Sequence, residues 1–182
     1  MSWRIGSQLP QSLLPISIQR LGEVDLVCRA VEKELLERPS GDGEMDFRFN
    51  YLTVLSEWWV GSAYAVCYTL KDRQILTDPV FLKLADELRM IRVQIEKYEV
   101  PSDKKLTEPL LFSPTQLRED EKEPPIYQYD KNDRLRAHIP RRGLSSRHSA
   151  MWEVFDVNAD EARWYERMEL SDRLLDLLAP QS

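Results

Sequence analysis

The sequence predicts an α+β fold, with an N-terminal bundle of three main helices followed by a small antiparallel sheet and a terminal helix. Up to residue 100, apolar residues recur at helical spacings of three and four. Prolines and charges interrupt residues 101–125, and aromatic and branched residues then alternate as they do in strands. We therefore divide the chain into a helical body (1–100), a connecting segment (101–125) and a hairpin region with a C-terminal helix (126–182), packed as one domain. The alternative is an all-α bundle with a long basic loop.

The first helix is predicted from Ser17 to Arg38. Its apolar stripe is spaced 3, 4, 3, 4 and consists of Leu21, Val24, Cys28, Val31 and Leu35. The opposite face is predicted to carry the charged residues Arg20, Glu23, Arg29, Glu32, Lys33 and Glu37. Pro39 and the turn over residues 40–43 end this helix.

The second helix is predicted from Asp46 to Asp72 and is apolar on nearly every side. Its stretch Tyr51–Leu70 has roughly the 20 residues needed to cross a bilayer. We favour a buried core helix instead, because the stretch carries a central Glu57 and helices with matching apolar stripes flank it. Its comparatively polar face bears Asn50, Thr53, Glu57, Gly61 and Tyr64.

Glu57 has two interpretations. It could pair with a basic residue of the third helix, such as Arg89 or Arg92. Alternatively, its apolar surroundings could raise its pKa and make it a functional acid or base. The sequence leaves this choice open.

The third helix has a clear start, because Asp78 is a good N-cap and Pro79 suits the first helical position. Its seam is spaced 3, 4, 3, 4, 3 and consists of Phe81, Leu84, Leu88, Ile91, Ile95 and Tyr98. Such a seam is typical of helices packed lengthwise. We predict that it faces the protein's own core, and a homodimer through it is the alternative.

The region after residue 125 is predicted to form two hairpins. The first pairs 126–129 with 134–139 around a turn at 130–133, and the second pairs 151–157 with 162–168. The alternative for 158–178 is one continuous helix. Ser171 and Asp172 are predicted to cap a short final helix.

A basic segment, Lys131–His148, is the strongest charge asymmetry in the chain. It holds six basic residues and one acidic residue, although the whole chain has a net charge of −6. Such a segment could bind an acidic protein surface or phosphates, or it could neutralise the protein's own carboxylates. The residues we assign to partner binding are Arg134, Arg136, His138, Arg141, Arg142 and Arg147.

Arg142 and His148 are separated by five residues. This spacing resembles the Arg-x4–6-His motif of the HEPN ribonucleases, a helical-bundle family. The resemblance covers these two residues and implies RNA cleavage by them. Together with Glu57, Arg142 and His148 are the catalytic candidates.

The sequence contains no phosphate-binding glycine loop, and its two cysteines, Cys28 and Cys67, lie in apolar helical patterns. We therefore expect no cofactor and no metal site, and two buried reduced thiols. The leading prediction is a non-enzymatic cytoplasmic interaction protein, such as an adaptor, an inhibitor or a regulatory subunit, with a protein partner and no membrane contact. The alternative is a nucleic-acid-binding protein or a HEPN-like ribonuclease.

Overall fold

The computed structural model describes residues 14–38, 46–113 and 126–179. Over these residues the chain forms four α-helices and two small antiparallel sheets, which confirms the predicted α+β class. The turn predicted at 40–43 and residues 114–125 of the connecting segment lie outside the described residues. The helices are α1 (Leu14–Glu37), α2 (Phe47–Asp72), α3 (Pro79–Lys97) and α4 (Arg167–Leu178). The strands are β1 (Leu110–Phe112), β2 (Tyr127–Tyr129), β3 (Arg142–Leu144), β4 (Ala150–Asp156) and β5 (Glu161–Glu166).

The three main helices form the predicted bundle. α2 and α3 begin where the sequence places them, because the side chains of Asp46 and Asp78 accept hydrogen bonds from the first free N–H groups of each helix. α1 begins at Leu14, three residues before the predicted Ser17.

The seam of α3 lies in the main core. Its buried residues pack with the buried face of α2, with Trp152 and Val154 of β4, and with Leu170 and Leu174 of α4. From Phe81 to Ile95 the seam is therefore occupied by the protein's own side chains, as predicted, whereas Tyr98 lies beyond α3 and is 45% exposed. Within the described residues, no helix combines the length and the apolar character needed to span a membrane.

The second predicted hairpin is confirmed. β4 and β5 pair antiparallel from Met151 opposite Glu166 to Asp156 opposite Glu161, so the alternative of one helix over 158–178 is wrong. β3 pairs with the other side of β4, giving the order β3-β4-β5. β3 belongs to neither of the two predicted hairpins.

The first predicted hairpin is wrong. β2 pairs with β1, which belongs to the proline-rich connecting segment, and not with residues 134–139. The reason is apolar packing. Tyr129 of β2 is buried with Val100 and Leu106, and Phe112 of β1 packs against the same cluster. The connecting segment therefore contributes a strand and a short 3-10 helix (Asp103–Lys105) to the fold.

The start of α4 also differs from the prediction. The helix begins at Arg167, directly after β5, so Ser171 lies inside it and does not cap it. The Ser171 hydroxyl donates a hydrogen bond to Asp25 of α1 instead. A tertiary contact, which local sequence cannot reveal, replaces the capping role.

Candidate functional site

A cleft with a volume of about 950 Å³ lies beside the N-terminal half of α2. We call it the α2 cleft. One wall is the polar face of α2, and the other is built from the ends of β1 and β2, Glu153 of β4 and residues 137–142 of the basic segment. Its lining residues are Phe49, Asn50, Thr53, Val54, Glu57, Phe112, Ser113, Tyr127, Ala137, His138, Ile139, Pro140, Arg141, Arg142 and Glu153. The cleft thus unites the two features singled out in the sequence.

Glu57 forms an ion pair with Arg142, whose Nη2 lies 2.7 Å from Glu57 Oε1. The predicted partners on α3 are wrong, because Arg89 pairs with Asp86 and Arg92 pairs with Glu96 on their own helix. Arg142 reaches α2 because it opens β3 opposite the buried Trp152, on the sheet face that packs against the helices.

Burial raises the pKa of Glu57 above its ordinary value, while the charge of Arg142 and a hydrogen bond from Trp152 act in the opposite direction. The carboxylate therefore depends on its partner to stay ionised in a half-buried place. Both interpretations of Glu57 remain predictions, since the same pairing suits a structural link and a functional acid.

The Glu57–Arg142 pair predicts an asymmetry between two substitutions. Arg142→Met should lower the free energy of unfolding by about 1–2 kcal/mol at pH 7, because it leaves a half-buried carboxylate without its cation. Glu57→Gln should change it by less than about 1 kcal/mol, because Arg142 can be solvated. The Arg142→Met loss should fade as pH falls and Glu57 becomes protonated. Urea denaturation at pH 7 and pH 4 measures both effects, and equal losses at both pH values would contradict the expectation.

His138 lies on the opposite wall as a buried, neutral side chain. The Tyr127 hydroxyl is 2.7 Å from its Nδ1, and its ring stacks on Phe112 with a centroid separation of 4.0 Å. Burial, together with the charge of Arg141, lowers the pKa of His138 to about 4. In its neutral form with the proton on Nε2, the ring accepts a hydrogen bond from Tyr127. His138 therefore contributes no positive charge to the cleft at neutral pH.

Four of the five arginines assigned to partner binding form ion pairs with the protein's own carboxylates. The pairs are Arg136 with Asp103 and Glu99, Arg141 with Glu153, Arg142 with Glu57, and Arg147 with Glu166 and Asp172. Arg134 is exposed and has no ion pair with any other described residue. This geometry favours the interpretation that the basic segment neutralises the fold's own acidic groups.

Arg142 and His148 are not brought together at one visible reaction centre. Arg142 opens β3 and points to Glu57, whereas His148 lies in the turn between β3 and β4, beyond the other end of β3. His148 has a left-handed backbone (φ 56°), and its Nδ1 is buried without a hydrogen-bond partner among the described residues. Ribonuclease activity through these residues stays a prediction. No cluster in the described ranges brings together enough His, Cys, Asp or Glu side chains to hold a metal ion.

A buried ionic cluster that the sequence did not predict joins α4 to α1. Arg167 is 0% exposed, and its guanidinium contacts Asp25 and Glu32, which are 5% and 1% exposed. Burial alone would raise the pKa of Asp25, but hydrogen bonds from Ser171, Arg29 and Arg167 lower it below its ordinary value. The spacing of the sequence indicated that Asp25 and Glu32 are buried. Both fall in helical register with Leu21, Cys28 and Leu35, on the side of α1 that packs against the core.

Comparison of the chain with protein-family models, with curated proteins and with solved structures gave no match.

Proposed function

We propose that the protein is a non-enzymatic interaction protein that binds an extended segment of another protein in the α2 cleft. The observation that carries the proposal is the composition of the cleft. It combines exposed apolar side chains on both walls, Val54 and Ile139, with a polar floor around Glu57 and Arg142. Apolar walls with a few placed polar groups are typical of binding sites.

The position of β3 supports an extended polypeptide as the occupant. β3 is an edge strand of its sheet, and the described residues place no strand on its outer side. An edge strand presents unpaired N–H and C=O groups, and proteins bind extended peptides by adding a strand there. Arg141 and Arg142, at the start of this edge, line the cleft.

The ionisable groups that line the α2 cleft are engaged within the fold. Glu57 forms an ion pair with Arg142, Arg141 forms one with Glu153, and His138 lies within hydrogen-bond distance of Tyr127. The cytoplasmic location stays part of this proposal.

A peptide-binding experiment tests the proposal with a matched pair of variants. Peptides are selected from a random displayed library on the full chain, and their affinities are measured by fluorescence anisotropy. Ile139→Glu should weaken binding at least tenfold, a loss of about 1.4 kcal/mol or more, because Ile139 lines the cleft. Leu135→Glu is the control, because Leu135 is 89% exposed, against 67% for Ile139, and does not line the cleft.

Equal effects of the two substitutions on peptide affinity, or the failure to select any peptide, would overturn this function.

The nucleic-acid alternative is tested by separate experiments. Binding of a single-stranded RNA oligonucleotide should fall steeply with salt concentration if phosphates are contacted. RNA cleavage by the wild type that is lost in His148→Ala would support the HEPN-like alternative.

A further inference from the structure

α2 carries a second surface, distinct from the cleft except at its border. Five large side chains lie on one exposed helix face and are each between 55% and 67% exposed: Phe47, Tyr51, Val54, Trp58 and Tyr68. Their positions, together with Gly61 and Ala65 between them, follow spacings of 4, 3, 4, 3, 4 and 3. This is the a/d register of helices packed lengthwise. We call this surface the α2 stripe.

The α2 stripe lacks the charge expected of a solvated helix face. From residue 49 to residue 70 the only charged side chain of α2 is Glu57, which turns toward the cleft and pairs with Arg142. Contiguous exposed apolar surface of this kind marks an interaction site in a soluble protein. The absence of charge disfavours an acidic or a basic partner.

We propose that the α2 stripe binds the α2 stripe of a second copy of this chain. The two helices pack antiparallel about a two-fold axis beside Gly61 and Ser62. In such an isologous interface, a residue that precedes the axis by a given number of positions meets the partner residue that follows the axis by the same number. Trp58 therefore meets the partner's Ala65, and Val54 meets the partner's Thr69.

The shape of the stripe supports this axis, because large and small residues match across it. A groove of about 240 Å³ lies beside Ala65, between α1 and α2. Its lining includes Trp58 and the small residues Ser62, Ala65 and Thr69 of α2, together with Ser17 and Arg20 of α1. The groove has room for one aromatic side chain. The axis therefore places the indole of Trp58 in the groove of the second copy. By symmetry, the Trp58 indole of the second copy occupies the groove of the first.

The exposed area is sufficient for a dimer. A buried aromatic side chain covers about 150–250 Å², and the four aromatic residues of the stripe are each more than half exposed. About the proposed axis Phe47 lies beyond the end of the partner's α2, so Tyr51, Trp58 and Tyr68 of two copies would remove roughly 700 Å² of aromatic surface from water. Val54 and the rims of the groove bring the total to the roughly 1,000 Å² expected of a specific interface.

The rim of the stripe is compatible with self-association. Next to Gly61 lies the carboxylate of Glu96, so close that a Cβ on Gly61 would meet its Oε1 at 3.0 Å. Glu96 is paired with Arg92 at 2.8 Å. At this part of the rim, two copies would thus bring together two neutral ion pairs.

Sedimentation velocity of the full chain from about 1 to 100 µM tests the proposal, since this range covers typical specific dimers. The wild type should dimerise, and Trp58→Lys should weaken the dimer at least 100-fold. Trp164→Lys is the matched control, because Trp164 is also exposed but lies on β5. Circular dichroism checks that both variants remain folded. A monomeric wild type at the highest concentration, or equal effects of the two substitutions, would overturn the proposal.

Disulfide trapping tests the antiparallel arrangement itself. At the axis, position 62 of one copy lies next to position 62 of the second copy. Ser62→Cys should therefore give a covalent dimer on mild oxidation. Val54→Cys should not, because an antiparallel pair about this axis separates the two positions by about 22 Å along the helices. The native cysteines, Cys28 and Cys67, are both buried. Trapping through position 54 and not through position 62 would exclude the proposed axis.

Discussion

Arg167→Met is expected to lower the free energy of unfolding by about 3–5 kcal/mol. The substitution leaves Asp25 and Glu32 as buried carboxylates without the cation that they share. It also removes one link between α4 and α1, since Arg167 lies at the start of α4 and both carboxylates belong to α1. Urea denaturation at pH 7, followed by far-UV circular dichroism, measures the loss.

Arg163→Met is the matched control. Arg163 and its partner Glu161 have side chains that are 46% and 50% exposed, so this ion pair is solvated. Its removal should cost less than about 1 kcal/mol. Similar losses for Arg163→Met and Arg167→Met would contradict the assigned role of the buried cluster.

A compensating variant distinguishes lost charge pairing from lost packing. Arg167→Met combined with Asp25→Asn and Glu32→Gln leaves no uncompensated charge in the cluster. It should recover part of the stability lost in Arg167→Met alone, because neutral amides cost less to bury than carboxylates. Failure to recover any stability would mean that the packing of the long Arg167 side chain, including its position 5.8 Å from the Trp59 ring, accounts for the loss.

The helical body is readable from the sequence because its signals are local. Helix periodicity places the core face of α3, and Asp78 with Pro79 marks its first turn. The same reasoning misplaced Glu32, which was assigned to the solvent face of α1 on account of its charge. Its partner Arg167 lies 135 residues further along the sequence, and no local pattern predicts such a contact.

In the candidate site, too, local features were predictable from the sequence and contacts between distant residues were not. The polar strip of α2 correctly singled out Glu57, but helical spacing says nothing about which distant strand covers it. The sequence places Arg142 among the partner-binding residues, whereas β3 holds it against Glu57. β1 was missed because a three-residue strand among prolines has too few residues to show an alternating pattern.

Acidification from pH 7 to pH 4 is expected to destabilise the protein through His138 by about 3 kcal/mol. The pKa of His138 is about 4 in the folded protein, against an ordinary value of 6.5. The unfolded chain therefore takes up a proton at this residue over a pH range in which the folded chain does not. The unfolding free energy contributed by His138 is fully present above pH 6.5 and falls with pH down to about 4. Carboxylates that are hydrogen-bonded in the fold, such as Asp25 and Glu166, add their own losses at lower pH.

His138→Gln isolates the contribution of the imidazole, because the amide carries no titrating proton and its oxygen can still accept a hydrogen bond from Tyr127. The decisive quantity is the slope of unfolding free energy against pH between 7 and 4, since a constant offset would report only altered packing on Phe112. The wild-type slope should exceed that of the variant by an amount that integrates to about 3 kcal/mol. An NMR titration of the His138 ring should give a midpoint near 4. Parallel stability profiles, or a ring that titrates near 6.5, would mean that the imidazole can take up its proton without disturbing Tyr127 and Phe112. The wall of the α2 cleft would then be more open than its packing indicates.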